Sequence, residues 1–72
     1  MSIFSSQVEQ LARTGANIEI SADAGYFASQ IEQIIRIVVA NNSHITIHAG
    51  NYFASQLETF GRIGGKNITI VV

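Results

Sequence analysis

The side chains best suited to proton transfer lie where predicted strands end. Asp23 follows one alternating, β-branched segment and His48 ends the next, and Tyr26 and Tyr52 come shortly after them. Open α/β sheets bind ligands at the carboxyl ends of their strands, and loops leading into helix N-termini present free N–H groups suited to an anion. These four residues therefore predict a small-molecule or anion site, with Asp23 and His48 as a proton-transfer pair. The alternative is that both loops are tight connections rich in helix-capping residues.

The residue types give less support to metal binding or to nucleophilic catalysis. His44 and His48 are the two histidines and the chain has no cysteine. Four residues along a strand separate them by about 13 Å, too far to share one metal ion. Serine recurs at equivalent positions, but no copy stands out with a histidine base, as a serine nucleophile would need. We therefore expect no catalytic residue, no metal and no cofactor, and we predict that the protein is not an enzyme.

The composition excludes several classes of protein. Four Lys and Arg against five Asp and Glu give 72 residues a net charge of −1, too few cations for a nucleic-acid binder. A hydrophobic content of 47% with 12% charged residues argues against disorder. The longest apolar run, 34–40, is interrupted by Arg36 and is too short to span a bilayer. The segment 1–6 has no signal-peptide pattern, so we expect a cytoplasmic protein without nucleic-acid or membrane partners.

A threefold internal repeat is the strongest pattern in the sequence. Three decapeptides, beginning at Phe4, Phe27 and Phe53, are identical at five of ten positions. Each carries apolar residues at i, i+4 and i+7, which predicts an amphipathic helix with its phenylalanine in the core. Two residues before each phenylalanine comes an accepted N-cap type, and these predicted caps are Ser2, Gly25 and Asn51.

An alternating segment follows each predicted helix, at 17–21, 44–48 and 67–72, and predicts a strand. Short connections between strand, helix and strand favour a parallel sheet. The isoleucines of each segment point to one face, so all helices should cover that face and leave a polar face open. We predict an α/β fold of one domain, with three αβ repeats at about 2–21, 25–48 and 51–72. The predicted rows on the open face are Asn17/His44/Asn67, Glu19/Thr46/Thr69 and Ser21/His48/Val71.

This layout resembles a short leucine-rich-repeat-like α/β solenoid, since the repeats are offset by 23 and 26 residues. The leucine ladder and buried asparagine of that class are absent, so the resemblance carries over no functional residue. It implies that the open polar face of the sheet contacts a partner protein. The residues expected to make that contact are Glu19, Thr46, His48 and Thr69.

The last predicted strand has no charge, proline or helix after it to protect its outer edge. We expect a second copy to pair there, antiparallel about a twofold axis, through Ile70, Val71 and Val72. Face-to-face packing of two sheets and swapping of repeats between chains stay open as alternatives. The leading hypothesis is a non-enzymatic, self-associating α/β repeat protein, a homodimer or higher homo-oligomer, that serves as a protein-interaction module.

Overall fold

The computed structural model describes residues 3–72, in which helix and strand alternate through three repeats. The helices are α1 (Ser5–Arg13), α2 (Ala28–Ala40) and α3 (Ala54–Gly64), and the strands are β1 (Ile18–Ile20), β2 (Ile45–His48) and β3 (Ile68–Val71). A 3₁₀ turn, Gly65–Asn67, joins α3 to β3. The predicted order αβαβαβ is confirmed.

The three strands form one parallel sheet in the order β1-β2-β3. The isoleucines pair with one another across it, as Ile18–Ile45, Ile20–Ile47, Ile45–Ile68 and Ile47–Ile70. On the other face the neighbours are Glu19–Thr46, Thr46–Thr69 and His48–Val71. Because the side chains alternate between the two faces of a strand, this register keeps the isoleucines of all three strands on one face of the sheet.

All helices cover the isoleucine face, as predicted, and the opposite face is polar. The core is most complete in the middle repeat, where helix and strand side chains lose all contact with solvent. The residues with no exposed surface there are Ile31, Ile34, Ile35, Val38, Ile45 and Ile47. Fully burying one such side chain stabilises the fold by about 1.5–3 kcal/mol relative to leaving it exposed.

The helices begin differently from the prediction. Each phenylalanine is itself the N-cap, in extended backbone conformation, so Gly25 and Asn51 are wrong as caps, while Ser2 lies outside the described residues. Instead, each phenylalanine N–H donates to the side-chain oxygen of the glutamine three residues later, at 2.8–2.9 Å. This half of a capping box uses the backbone of the N-cap residue and accepts any side chain there. The glutamines are Gln7, Gln30 and Gln56.

The prediction that the three phenylalanines belong to the core is also wrong. Phe4, Phe27 and Phe53 are 77%, 74% and 73% exposed. The cause is their extended backbone, because a residue outside the helical turn does not share the direction of the i+4 and i+7 side chains. The buried stripe therefore starts one turn later, at Val8 and Ile31 in the first two repeats.

The tyrosines tie each repeat to the one before it. Tyr26 and Tyr52 immediately precede the N-caps Phe27 and Phe53. Both pack against the core, but their hydroxyls are not left in water. The Tyr52 hydroxyl donates to the Tyr26 carbonyl at 2.6 Å, and the Tyr26 hydroxyl donates to the Ile3 carbonyl. The Tyr52 ring also meets Phe60 edge-on, with ring centroids 5.3 Å apart.

Two glycines of α3 provide a matched test of how tightly this helix packs on β3. A Cβ at Gly64 would lie 2.5 Å from the Ile68 Cγ2, whereas one at Gly61 would lie 3.7 Å from the Ile70 Cδ1, an ordinary contact. We expect Gly64→Ala to lower the free energy of unfolding by about 1–3 kcal/mol through overpacking. Gly61→Ala should raise it by up to about 1 kcal/mol through helix propensity. Urea unfolding measures both, and equal effects would contradict this packing.

Candidate functional site

The open face of the sheet carries two polar pairs that cross between strands. The Glu19 Oε2 lies 2.8 Å from the His48 Nε2, and the His44 Nε2 lies 2.7 Å from the Thr69 Oγ1. In the register of the sheet, Thr46 lies between Glu19 and Thr69. One pair crosses from β1 to β2 on one side of Thr46, and the other crosses from β2 to β3 on the other side, in the same diagonal direction. The structure therefore brings together the four residues predicted to contact a partner.

These pairs make the polar face a weak attachment surface by itself. Glu19 and His48 have side chains 68% and 33% exposed, so water screens their attraction. Exposed polar pairs of this kind contribute about 0–1 kcal/mol, and the Glu19 Oε2 and the His48 Nε2 already bond to each other. A partner on this face would have to replace existing hydrogen bonds, and it would gain little apolar burial.

The predicted ligand site is only partly assembled at the ends of the strands. Asp23, Tyr26 and Tyr52 line a groove of about 470 Å³, but His48 is not among its lining residues. His48 instead makes its hydrogen bond with Glu19, so the proposed proton-transfer pair with Asp23 is not formed. Both tyrosine hydroxyls are occupied by backbone carbonyls. Asp23 is left as the one predicted site residue that lines the groove without a structural hydrogen bond in residues 3–72.

The walls of this groove are a feature that the sequence interpretation missed. Phe27 and Phe53 flank it, and a second groove, of about 360 Å³, lies between Phe4 and Phe27. We name Phe4, Phe27 and Phe53 together the phenylalanine row. The signal that could have revealed it is the glutamine three residues after each phenylalanine, which marks the phenylalanine as an N-cap.

The two outer strands form a further candidate surface, because within residues 3–72 each pairs along one edge alone. At the end of β3, Val71 is 39% exposed and Ile70 is partly buried, and Val72, which follows the strand, is 102% exposed. Beside β1 lies a groove of about 460 Å³ whose lining includes Leu11 and Ile18. An unpaired strand edge next to apolar side chains is a template for pairing with another chain.

Neither a metal site nor a membrane-spanning helix is found among residues 3–72. Residues 3–72 bring together no group of three or more His, Asp or Glu side chains that could hold a metal ion. In the same part of the chain, no helix combines the length and apolar character needed to cross a bilayer. The polar face, the phenylalanine row and the outer strands are thus the surfaces that remain.

No protein-family model, curated protein or solved structure matches this chain. Its function must therefore be inferred from the three surfaces described above. Among them the phenylalanine row and the outer strands expose several apolar side chains, whereas Val71 is the one apolar residue in the predicted rows of the polar face.

The partly buried position of Tyr52 predicts a loss of stability at high pH. Burial raises the pKa of Tyr52 above its ordinary value of 10.0, and the neighbouring Tyr26 raises it further. As the pH rises past about 10, the unfolded chain therefore loses this proton before the folded chain does, and the free energy of unfolding falls. Tyr52→Phe should cost about 1 kcal/mol near neutral pH.

The same substitution should make the fall above about pH 10 shallower, because the titrating group is gone. Urea unfolding of the two proteins across the alkaline range measures both effects. Parallel curves for the two proteins would show that Tyr52 does not contribute to the alkaline loss.

Proposed function

We propose that this chain is a non-enzymatic protein-interaction module that associates with copies of itself. The observation that best supports a role in protein interaction is the phenylalanine row, because three equivalent rings, 73–77% exposed, lie at the N-terminal ends of the helices in successive repeats. Soluble monomers rarely expose contiguous apolar patches, and large ones usually mark a contact surface. Aromatic side chains are also frequent among the residues that dominate binding energy.

Two surfaces support two kinds of contact. The outer edge of β3, with Ile70, Val71 and Val72, offers unpaired backbone groups and apolar side chains, and it is the surface we assign to self-association. The phenylalanine row lies at the N-terminal ends of the helices and not on a strand. It would therefore remain free for a protein partner when the edge of β3 is paired. The residues Glu19, Thr46, His48 and Thr69 on the polar face would then border such contacts.

Several observations favour binding over catalysis. The tyrosine hydroxyls hold repeats together, His48 is paired with Glu19, and within residues 3–72 the Asp23 side chain makes no hydrogen bond to a basic or nucleophilic group. General acid–base chemistry needs a second group within hydrogen-bond reach of the reacting proton. That the protein works in the cytoplasm stays a prediction from its sequence.

The self-association is tested by placing a charge on the outer strand. We expect the unmodified chain to have a solution mass that is a multiple of 7.8 kDa, and Val71→Lys to return it to 7.8 kDa. A lysine on an edge strand disfavours pairing with another strand, and two copies would gain less apolar contact. Gln33→Lys, on an exposed position of α2, is the control for added charge. Light scattering after gel filtration measures the mass, and an unchanged mass for Val71→Lys would reject this edge.

The phenylalanine row is tested by separating its effect on folding from its effect on binding. Because the ring is mostly in water and serine is a favourable N-cap, Phe27→Ser should leave the free energy of unfolding unchanged or raise it slightly. Phe60→Ala, at a fully buried position, should lower it by about 3–5 kcal/mol. Urea unfolding compares them. A comparable loss for Phe27→Ser would make the ring a structural residue and remove the argument for a contact surface.

A further inference from the structure

Equivalent positions of the three repeats differ in exposure in a directional way. Leu11 is 48% exposed, although its equivalents Ile34 and Phe60 have no exposed surface. This position therefore faces the preceding repeat, which α1 does not have within residues 3–72. The reverse holds for Leu57, which is partly buried, whereas its equivalent Ile31 is fully buried. That position faces the following repeat.

The strands show the same pattern. Ile45 and Ile47 of the middle strand have no exposed surface, while their neighbours in the outer strands, Ile18, Ile68 and Ile70, are partly buried. Within residues 3–72 the first repeat thus has no neighbour on one side, and the last repeat has none on the opposite side. The exposed side of the last repeat consists of positions whose equivalents in the first and second repeats face the repeat that follows.

Two asparagines supply a more specific complementarity. Asn17 and Asn67 each immediately precede a strand, at equivalent positions of the first and last repeats. The Asn17 Oδ1 accepts from the His44 N–H of the next repeat, and the Asn67 Nδ2 donates to the Ser43 carbonyl of the previous repeat, both at 2.9 Å. In each side-chain amide, therefore, one of the two polar atoms is hydrogen-bonded. The Asn17 Nδ2 and the Asn67 Oδ1 make no hydrogen bond within residues 3–72.

We propose that copies of this chain associate head to tail, with β3 of one copy pairing in parallel with β1 of the next. This inference rests on the proposed self-association and names the edge that meets β3. Continuing the register of the sheet would place Ile68 beside Ile18, Thr69 beside Glu19 and Val71 beside Ser21 of the next copy.

At such a junction the Asn67 Oδ1 of one copy and the Asn17 Nδ2 of the next can both form hydrogen bonds. Repeating the bond between Asn17 and His44 one repeat further lets the Asn67 Oδ1 accept from the Asn17 N–H of the next copy. Repeating the bond between Asn67 and Ser43 lets the Asn17 Nδ2 of that copy donate to the Lys66 carbonyl. The groove beside β1 and the half-exposed Leu11 are covered at the same time.

A twofold contact between two β3 strands accounts for fewer of these features. It would cover Val71 and Val72 but leave Leu11, the groove beside β1 and the Asn17 amide unchanged. A head-to-tail contact uses a different surface on each copy, so it continues to add copies unless the rotation closes a ring. The phenylalanine row would then extend across the junction, from Phe53 of one copy to Phe4 of the next.

The junction differs from the internal contacts in one respect. Ile3 occupies the position that Tyr26 and Tyr52 hold in the later repeats, so no hydroxyl donates to the Tyr52 carbonyl across the junction. A hydrogen bond contributes about 0.5–1.5 kcal/mol net, so the junction is weaker than the contact between repeats of one chain. The average mass should therefore rise with protein concentration.

The orientation is tested by disulfide trapping, since the chain has no cysteine of its own. Ser21→Cys and Val71→Cys, both exposed, would be neighbours across a head-to-tail junction. Within one chain β2 separates them by about 9–10 Å, beyond the roughly 7 Å reach of a disulfide. Gln33→Cys, exposed on α2, measures the rate of disulfides formed by random collision.

Under mild oxidation the double variant should form a ladder of covalent oligomers on a non-reducing gel. An equimolar mixture of the two single variants should stop at a dimer, and each single variant alone should react no faster than Gln33→Cys. Circular dichroism confirms that each variant folds.

Three results would overturn the proposal. A rapid dimer from Val71→Cys alone would establish the twofold contact, in which case self-association holds but its orientation is different. The absence of cross-links faster than the control, in a chain that light scattering shows to be oligomeric, would reject both strand contacts. A mass of 7.8 kDa for the unmodified chain at every concentration would reject the proposed self-association itself.

Discussion

The lateral contact between isoleucine-bearing strands under parallel helices is the interaction on which this structure depends. In the middle repeat Ile45 and Ile47 of β2 are flanked by isoleucines on both neighbouring strands, and α2 covers them with its own buried side chains. A chain of this size has little surface to bury, and one repeat could not form a core alone. Each repeat is thus stabilised mainly by its neighbours, and the outer repeats are less completely buried than the middle one.

The capping arrangement explains why the fold can leave large aromatic residues in water. Gln7, Gln30 and Gln56 accept from the N–H of the N-cap residue, and the helix begins there although the phenylalanine side chain makes no capping hydrogen bond. A serine or aspartate would be the ordinary choice at such a position. Phenylalanine there gives the fold no evident benefit, since its ring is largely exposed, and this is the reason to look for its role in contacts with other molecules.

The sequence was sufficient to predict what depends on periodicity, and insufficient for what depends on a local choice of backbone. Alternation of isoleucine with polar residues determined the strands, their common face and the register of Thr46 with its neighbours. The i+4 spacing also suggested a buried Phe27, because periodicity does not reveal that a residue has left the helical conformation. The pairing of His48 with Glu19 rather than Asp23 required the diagonal offset between strands, which composition and spacing do not give.

The tyrosine hydroxyl bonds have an implication for how such a chain could change in length. Tyr52 reaches back to the second repeat just as Tyr26 reaches back to the first, and the strands keep one register throughout. An extra copy of the middle unit, inserted in frame between the second and third, would continue the series of tyrosine bonds, because its tyrosine hydroxyl would meet the Tyr26 carbonyl as that of Tyr52 does now. Duplication of that segment is therefore a route by which the gene could lengthen without redesign of the remaining protein.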